Sequence, residues 1–250
     1  EDRAHYVSIC SPNYLHDAHI RFALRNNAYA ICEKPLVLNP WNLDALEELE
    51  TSYQRRIYNV LQLRLHSAIQ TLKENAKKQG SSKQKSTIDL TYITSRGKWY
   101  FYSWKGILEK SGGVATNIGI HFFDMLLWIF GKLQFSEVHY ADPKKMSGFL
   151  ELERANVRWF LSLDKNDLPE DCKTSGKPTF RSLVIDNEEV EFSEGFTDLH
   201  TKIYEDILAG SGFGIADARP SIELAYQIRH AKPTGVKGYY THPMINKVHR

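Results

Sequence analysis

Hydrophobic positions recur along this chain at two periods, and the switches between them mark out its elements. Tyr6-Val7-Ser8-Ile9-Cys10 is a β-branched, apolar run ended by the loop signal Ser11-Pro12-Asn13. Across residues 14–25, Leu15, Ala18, Ile20, Ala23 and Leu24 return at helical spacing, and Asn26-Asn27 closes the segment. A second short strand, 28–32, runs into Glu33-Lys34-Pro35. Asn39 and Pro40 are start signals for a helix over 42–55, and 57–61 is a third strand. Three strands with two intervening helices of this length predict a βαβαβ unit, a parallel sheet with right-handed crossovers. Such sheets bind ligands beyond the carboxyl ends of their strands. The loops Ser11-Pro12-Asn13, Glu33-Lys34-Pro35 and Gln62-Leu63-Arg64 are therefore expected on one rim.

The pattern then changes. Residues 65–78 read as an amphipathic helix, 77–85 as a basic, solvated turn, and 86–95 as a half-buried strand with clean alternation. Residues 96–105 mix Arg96, Lys98 and Lys105 with Trp99, Tyr100, Phe101, Tyr102 and Trp104. They read either as an edge strand with a loop or as a binding stretch for a uridine, a carboxylate or phosphates. Gly112-Gly113 leads into a helix that is apolar nearly all round and stops at Gly131. Short runs at 135–140, 146–152, 157–163, 182–185 and 190–192 predict strands, with a charged loop over 164–177. Helices are expected over 199–208 and 222–231, joined flexibly by 210–214. The fold class is thus α/β: part of a doubly wound domain over residues 1–62, then an α+β domain with a mostly antiparallel sheet over 63–250.

A length of 250 residues, 42% hydrophobic and 12% aromatic, supports a substantial core. A net charge of +2 creates no field that calls for nucleic acid. No run of 18 apolar residues argues for a membrane span. Cys10, Cys32 and Cys172 form an odd set without metal-like spacing. Cys10 and Cys32 lie in apolar runs and read as buried thiols, which fits a reducing cytoplasm. No signal-peptide pattern is present. The chain opens without Met and almost at once on a strand, so an N-terminal part of the natural protein is expected to precede it.

Several side chains could carry chemistry. Lys34, at a strand end and followed by Pro35 in a turn held rigid, could bind an anion, transfer a proton, or simply be a surface lysine. Asn117, His121 and Asp124 share one face of the apolar helix. They are either core polar groups satisfied by neighbours or one wall of a cleft. His121 could act as a general base and Asp124 could orient it or bond to backbone. Ser11 or Asn13 could cap the helix that follows. His16 and His19 are spaced for a metal pair, but no third ligand presents itself, so no metal is expected. There is no nucleophile elbow, no P-loop and no G-x-G-x-x-G opening a βαβ unit.

The order of these pieces is more specific than any one of them. A strand ending in Ser-Pro-Asn-x-x-His, a strand ending in Glu-Lys-Pro, and a helix start Gly-Gly-x-x-x-Asn-x-Gly-x-His-x-x-Asp resemble the Gfo/Idh/MocA family of NAD(P)-dependent sugar oxidoreductases. The resemblance covers nearly the whole chain. Residues 32–41 and 117–124 are most similar to the family's UDP-N-acetyl-2-amino-2-deoxyglucuronate dehydrogenases, which serve bacterial lipopolysaccharide O-antigen pathways. The resemblance implies a Rossmann domain with NAD lined by Ser11, Pro12, Asn13, His16, Glu33 and Lys34. It places Lys34 between nicotinamide and substrate, and His121 beside the hydroxyl being oxidised. Many members have Asp where this chain has Asn117; the change favours the nucleotide-sugar subgroup and leaves open whether His121 or Lys34 takes the proton.

The implied reaction is NAD-dependent oxidation of the C3 hydroxyl of a UDP-N-acetylglucosaminuronate-type sugar, with 2-oxoglutarate reoxidising NADH in some relatives. Asn117 would join the substrate site. Arg64, Lys98, Tyr102, Trp104 and Lys105 are further candidates for the substrate's carboxylate, uracil and phosphates. The family's Gly-rich pyrophosphate loop is not among these residues, so the 250 residues alone are expected to bind NAD poorly. A free-sugar or cyclitol dehydrogenase, or a non-catalytic sugar-binding module, are the alternatives. One face of the second sheet needs covering, which points to a homodimer or homotetramer.

Overall fold

The computed structural model describes residues 3–78, 84–190, 197–236 and 238–245. β1 (Tyr6–Ile9), α1 (His16–Arg25), β2 (Tyr29–Cys32), α2 (Trp41–Tyr53) and β3 (Ile57–Asn59) form the expected βαβαβ unit. Its sheet runs β1-β2-β3 with both pairs parallel. The carboxyl ends of all three strands therefore point to one rim, as the alternation of strand and helix requires.

α3 (Ser67–Lys78) and β4 (Ser86–Thr94) follow, then the short helix α4 (Lys98–Tyr102). The aromatic and basic stretch is thus helical in its first half, neither edge strand nor plain loop. Ser103 accepts from the Lys105 backbone N–H and starts a 3-10 turn. α5 (Leu108–Ser111) ends at Gly112, whose φ of 78° is left-handed and whose Cβ, if present, would lie 2.5 Å from Thr116. Ser111 Oγ accepts from the Gly113 N–H at 3.0 Å and sets the turn. A π-helical segment, Val114–Gly119, then runs directly into α6 (Ile120–Phe130).

β5 (Leu133–Ala141), β6 (Lys145–Leu152), β7 (Ala155–Ser162), α7 (Glu170–Thr174), β8 (Thr179–Ile185) and β9 (Glu188–Glu189) complete a six-stranded sheet in the order β5-β6-β7-β4-β8-β9. All its pairs are antiparallel except β4 with β7. The strand expected at 190–192 lies mostly outside the described residues, as does the middle of the basic turn at 79–83. One sheet face, carrying Leu90, Trp159 and Leu161, packs on α6 and the π-helical segment. The helical run Leu108–Phe130 is long and apolar enough to span a membrane by composition, but 78% of its most apolar window is buried in protein. It is the core helix between the two sheets.

α8 (Leu199–Leu208) and α9 (Ile215–His230) end the fold. α9 starts seven residues earlier than its hydrophobic pattern suggests and contains Pro220. The Asp217 carboxylate accepts from the Gly214 N–H at 2.9 Å, and Arg64 donates to the Asp217 carbonyl, so the first turns are held from outside the helix ladder. The expected flexible joint is pinned as well: Asn59 donates its backbone N–H to the Phe213 carbonyl at 2.8 Å. Cys32 is buried as expected, but Cys10, one residue past the end of β1, is exposed.

Candidate active site

The rim of the parallel sheet meets the start of α6. Lys34 follows β2 and precedes a cis peptide to Pro35. Its Nζ donates to the Asn117 carbonyl at 3.0 Å. Where a π-helical segment passes into an α-helix, the hydrogen-bond register changes and a carbonyl is left outside the ladder. Asn117 lies in that segment, and its carbonyl accepts from the Lys34 ammonium.

Asn117 is also the centre of a side-chain chain. Asn13 Nδ2 donates to Asn117 Oδ1 at 3.3 Å and to the Ser111 carbonyl at 2.9 Å. Asn117 Nδ2 donates to the Tyr100 hydroxyl at 2.7 Å. Three segments far apart in sequence are thereby locked in one orientation.

Lys34 and His121 both line one cavity of about 180 Å³ between the two sheets. Burial lowers the pKa of Lys34 to about 8; Glu33 opposes the shift, and Lys105 and Arg96 add to it. Burial also pushes His121 well below its ordinary value, helped by the charges of Lys34, Arg181 and His200. His121 is therefore neutral at pH 7, and Lys34 titrates on the same cavity.

Two family descriptions match the chain: an oxidoreductase family NAD-binding Rossmann fold over residues 1–60, and the C-terminal alpha/beta domain of the same Gfo/Idh/MocA family over residues 85–174. The WlbA (WbpB) dehydrogenase of Thermus thermophilus, solved with NAD and UDP-GlcNAcA, is 50% identical, with a TM-score of 0.90 over 96% of this chain and 76% of that one. The same enzyme with NAD and alpha-ketoglutarate gives 51% identity and a TM-score of 0.90, over 95% and 76%. This chain belongs to the Gfo/Idh/MocA oxidoreductase family. The WlbA dehydrogenase of Bordetella pertussis shares the fold at a TM-score of 0.72 and 17% identity, over 90% of this chain and 75% of that one. D-glucoside 3-dehydrogenase of Escherichia coli (strain K12) is 27% identical over 128 residues, which spans 50% of this chain and 35% of that protein.

As a Gfo/Idh/MocA chain it keeps its motif residues together at the rim, but not all on the surface. His16 is buried, its Nδ1 2.7 Å from the Pro35 carbonyl and its Nε2 2.8 Å from that of Ser11. It fastens the two rim loops to each other. Burial lowers its pKa, and the two carbonyls oppose that shift. Asn13 is buried too, and its amide is engaged by protein groups. Ser11, Pro12, Glu33 and Lys34 remain half-exposed. His19, the other half of the possible metal pair, instead has its Nδ1 2.8 Å from Ser11 Oγ. The Glu33 carboxylate meets His200 Nε2 from α8 at 3.0 Å.

Arg64 is not brought to the cavity. Its guanidinium is buried in a two-pronged pair with Asp124, at 2.9 and 2.7 Å, and also donates to Asp217 Oδ1 at 3.0 Å. A carboxylate ligand would have to displace two protein carboxylates, so Arg64 is a structural cation rather than a substrate hook. The same pair explains Asp124, which faces Arg64 and does not orient His121. Lys98 and Tyr102 are exposed on α4 and do not line the cavity with His121. Trp104 and Lys105 are half-buried, with the Lys105 ammonium 5.3 Å from the Trp99 ring centroid and 5.7 Å from that of Trp104.

Arg96 and Arg181 line the cavity as well; Arg96 belongs to the aromatic and basic stretch, whereas nothing in the sequence singled out Arg181. Arg181 occupies an otherwise ordinary strand. Its only local signal is a cation at an apolar-face position, directly opposite Tyr92 of β4.

Proposed function

We propose that the protein oxidises the C3 hydroxyl of UDP-N-acetylglucosaminuronate, with NAD as hydride acceptor, in lipopolysaccharide O-antigen synthesis in the cytoplasm. The observation that carries this reading is the meeting of Lys34 and His121 on one cavity, the first from the end of β2 and the second from the first turn of α6. The likeness to a dehydrogenase solved with NAD and this sugar acid supports it.

The residues present fit a nicotinamide cofactor. Ser11, Pro12, Glu33 and Lys34 keep accessible surface at the carboxyl ends of β1 and β2, where a parallel sheet receives its ligand. They would hold the nicotinamide end, while buried Asn13 and His16 brace the loops behind it. When bound, NAD supplies the hydride acceptor. The C3–H bond breaks with its electron pair, the hydroxyl loses a proton, and a C3 carbonyl forms. Lys34, with a pKa near 8, takes that proton, and neutral His121 donates its ring N–H to the hydroxyl oxygen and aims it. A 2-oxo acid such as 2-oxoglutarate then receives the hydride in the return half-reaction, as the alpha-ketoglutarate complex of the relative supports.

A cavity of about 180 Å³ is below the roughly 300–1,000 Å³ of ordinary ligand sites, so it suits one sugar ring. The nucleotide would lie outside it, toward Trp104 and Lys105, with Lys98 and Tyr102 further along the same turn. The two domains of this reading are residues 1–62 and 63–250. A homodimer or homotetramer would form on the second face of the six-stranded sheet. Tyr240 and His242 cover its centre, against Phe149 and Phe160, and leave Phe135 half exposed at its edge.

Incubating the full-length protein with NAD and the UDP-sugar acid, with and without 2-oxoglutarate, tests the reading. NADH absorbance and the mass of a 3-keto product should both appear; absence of both under either condition overturns it. The partial likeness to a glucoside 3-dehydrogenase favours a sugar without nucleotide as the second reading. Competition by UDP alone separates the two, because an enzyme of free sugars is indifferent to UDP.

A further inference from the structure

His16 is buried at the start of α1, and both of its ring nitrogens face carbonyl oxygens: Nδ1 lies 2.7 Å from that of Pro35 and Nε2 2.8 Å from that of Ser11. A carbonyl oxygen can only accept. A neutral imidazole carries one N–H, so it satisfies one of these oxygens and turns a lone pair on the other. Turning the ring over does not help, because Cδ2 and Cε1 then take the places of the two nitrogens and both bonds are lost. Only the imidazolium donates at both positions at once. The two separations fall in the range of charge-assisted bonds, about 2.7–2.9 Å.

Burial pulls the pKa of His16 below its ordinary value, because a charge under the rim loses its water. Three groups work against burial: the Pro35 carbonyl, the Ser11 carbonyl and the carboxylate of Glu33 on the loop after β2. His19, one turn along α1, adds to the lowering. His19 is itself engaged with Ser11 Oγ, and Glu33 with His200 of α8. A neutral ring escapes the cost of burial, but it leaves a buried carbonyl against a lone pair in a medium of low dielectric. The hydrogen-bond geometry weighs more, since no neutral form satisfies both oxygens.

We propose that His16 is a buried imidazolium that staples the two rim loops together, a positioning residue for the cofactor: its charge, and not only its shape, holds Ser11-Pro12 and Lys34-Pro35 where NAD meets them. This rests on the placement of the nicotinamide at this rim and adds what fixes the geometry of the rim. When the ring loses its proton, one of the two carbonyls is released and its loop relaxes. The staple is therefore complete below the pKa of His16 and lost as pH rises through it, so NAD binds more weakly at alkaline pH. That sign is opposite to the one for Lys34, whose neutral form is the working one. His16 touches neither cofactor nor substrate in this account; it acts through the backbone of the two loops.

Two measurements on the full-length protein test this. The first is a long-range proton–nitrogen NMR spectrum of protein labelled at its histidine nitrogens. Loss of signals in His16→Gln, or in His16→Asn if that variant does not fold, identifies the resonances of His16. At pH 7 an imidazolium shows two ring nitrogens of nearly equal shift, both protonated; a neutral tautomer with one bare nitrogen overturns the proposal. The second is the calorimetric affinity for NAD from about pH 6 to about pH 9, in Lys34→Met and in Lys34→Met with His16→Gln. The Lys34 change removes the other group at this rim that titrates near pH 8. Affinity in K34M should fall by about tenfold or more across that range, the worth of one hydrogen bond to a charged group. The double variant should bind weakly throughout, with a flatter profile. A flat profile in K34M, or an equal slope in the double variant, overturns the positioning role. Neither measurement needs turnover, so if no keto product forms and the sugar-acid reading fails, both results still decide the role of His16.

Discussion

Lys34 Nζ donates to the Asn117 carbonyl at 3.0 Å across the junction of the two sheets. That contact joins the end of β2 to the π-helical turn before α6. It puts an amine with a pKa near 8 beside the wall that carries His121. The proposed chemistry depends on this placement, and the first three predictions probe it.

Replacing Lys34 by Met should lower kcat by about 10²- to 10⁴-fold, the usual contribution of a positioned proton acceptor. Circular dichroism and the oligomeric state should not change. A variant with near-normal turnover would remove Lys34 from the mechanism and leave the proton to His121.

The pH profile has a definite sign. Proton removal needs neutral Lys34, so kcat/KM should rise with pH through a pKa of about 8 and level off above it. Glu33 pulls that pKa up, while Lys105 and Arg96 press it down. His121 lies well below its ordinary value, pressed down by burial, Lys34, Arg181 and His200, and so contributes no limb above pH 7. A profile that is flat from neutral to alkaline pH would contradict the assignment.

Asn117→Asp restores the carboxylate found in many relatives. A negative charge on the residue whose backbone carbonyl holds Lys34 favours the protonated amine, so the alkaline limb should move up by about one unit or more, and activity at pH 7 should fall. Asn13 can still donate to the new carboxylate, and Tyr100 can turn its hydroxyl to donate as well. Tracking the limb of kcat/KM against pH checks this; an unmoved limb would mean that Asn117 does not set the charge state of Lys34.

The Arg64–Asp124 pair should matter to stability rather than to substrate affinity. Asp124→Leu alone leaves a buried guanidinium short of its main partner and should cost about 3–5 kcal/mol. Asp124→Leu with Arg64→Met removes both charges and should recover much of that loss. Urea unfolding of the single and double variants measures it. A KM for the sugar acid unchanged in the double variant would agree with a structural Arg64, whereas a large rise in KM would return Arg64 to the substrate.

The order of strands and helices through β3 was legible in the chain because each element there has its own period and its own stop signal. The three rim loops followed from topology alone, since parallel strands must end on one side. Glu33-Lys34-Pro35 and the Asn117–His121 spacing could be singled out because both lie in short stretches whose local structure follows from neighbours in sequence. The fate of Arg64 could not be read this way. Its partners Asp124 and Asp217 are 60 and 153 residues away, and only packing decides that a rim arginine turns inward to them. Arg181 was hidden for the same reason: a cation on a strand looks the same whether it faces solvent or a cavity, until the sheet places it opposite Tyr92 and across from α6. The chain by itself determined the elements, the rim and the motif residues, because those depend on local propensity and chain direction. The tertiary structure alone decided which charges are spent on each other and which side chains share the cavity with Lys34, because that depends on contacts between segments distant in sequence.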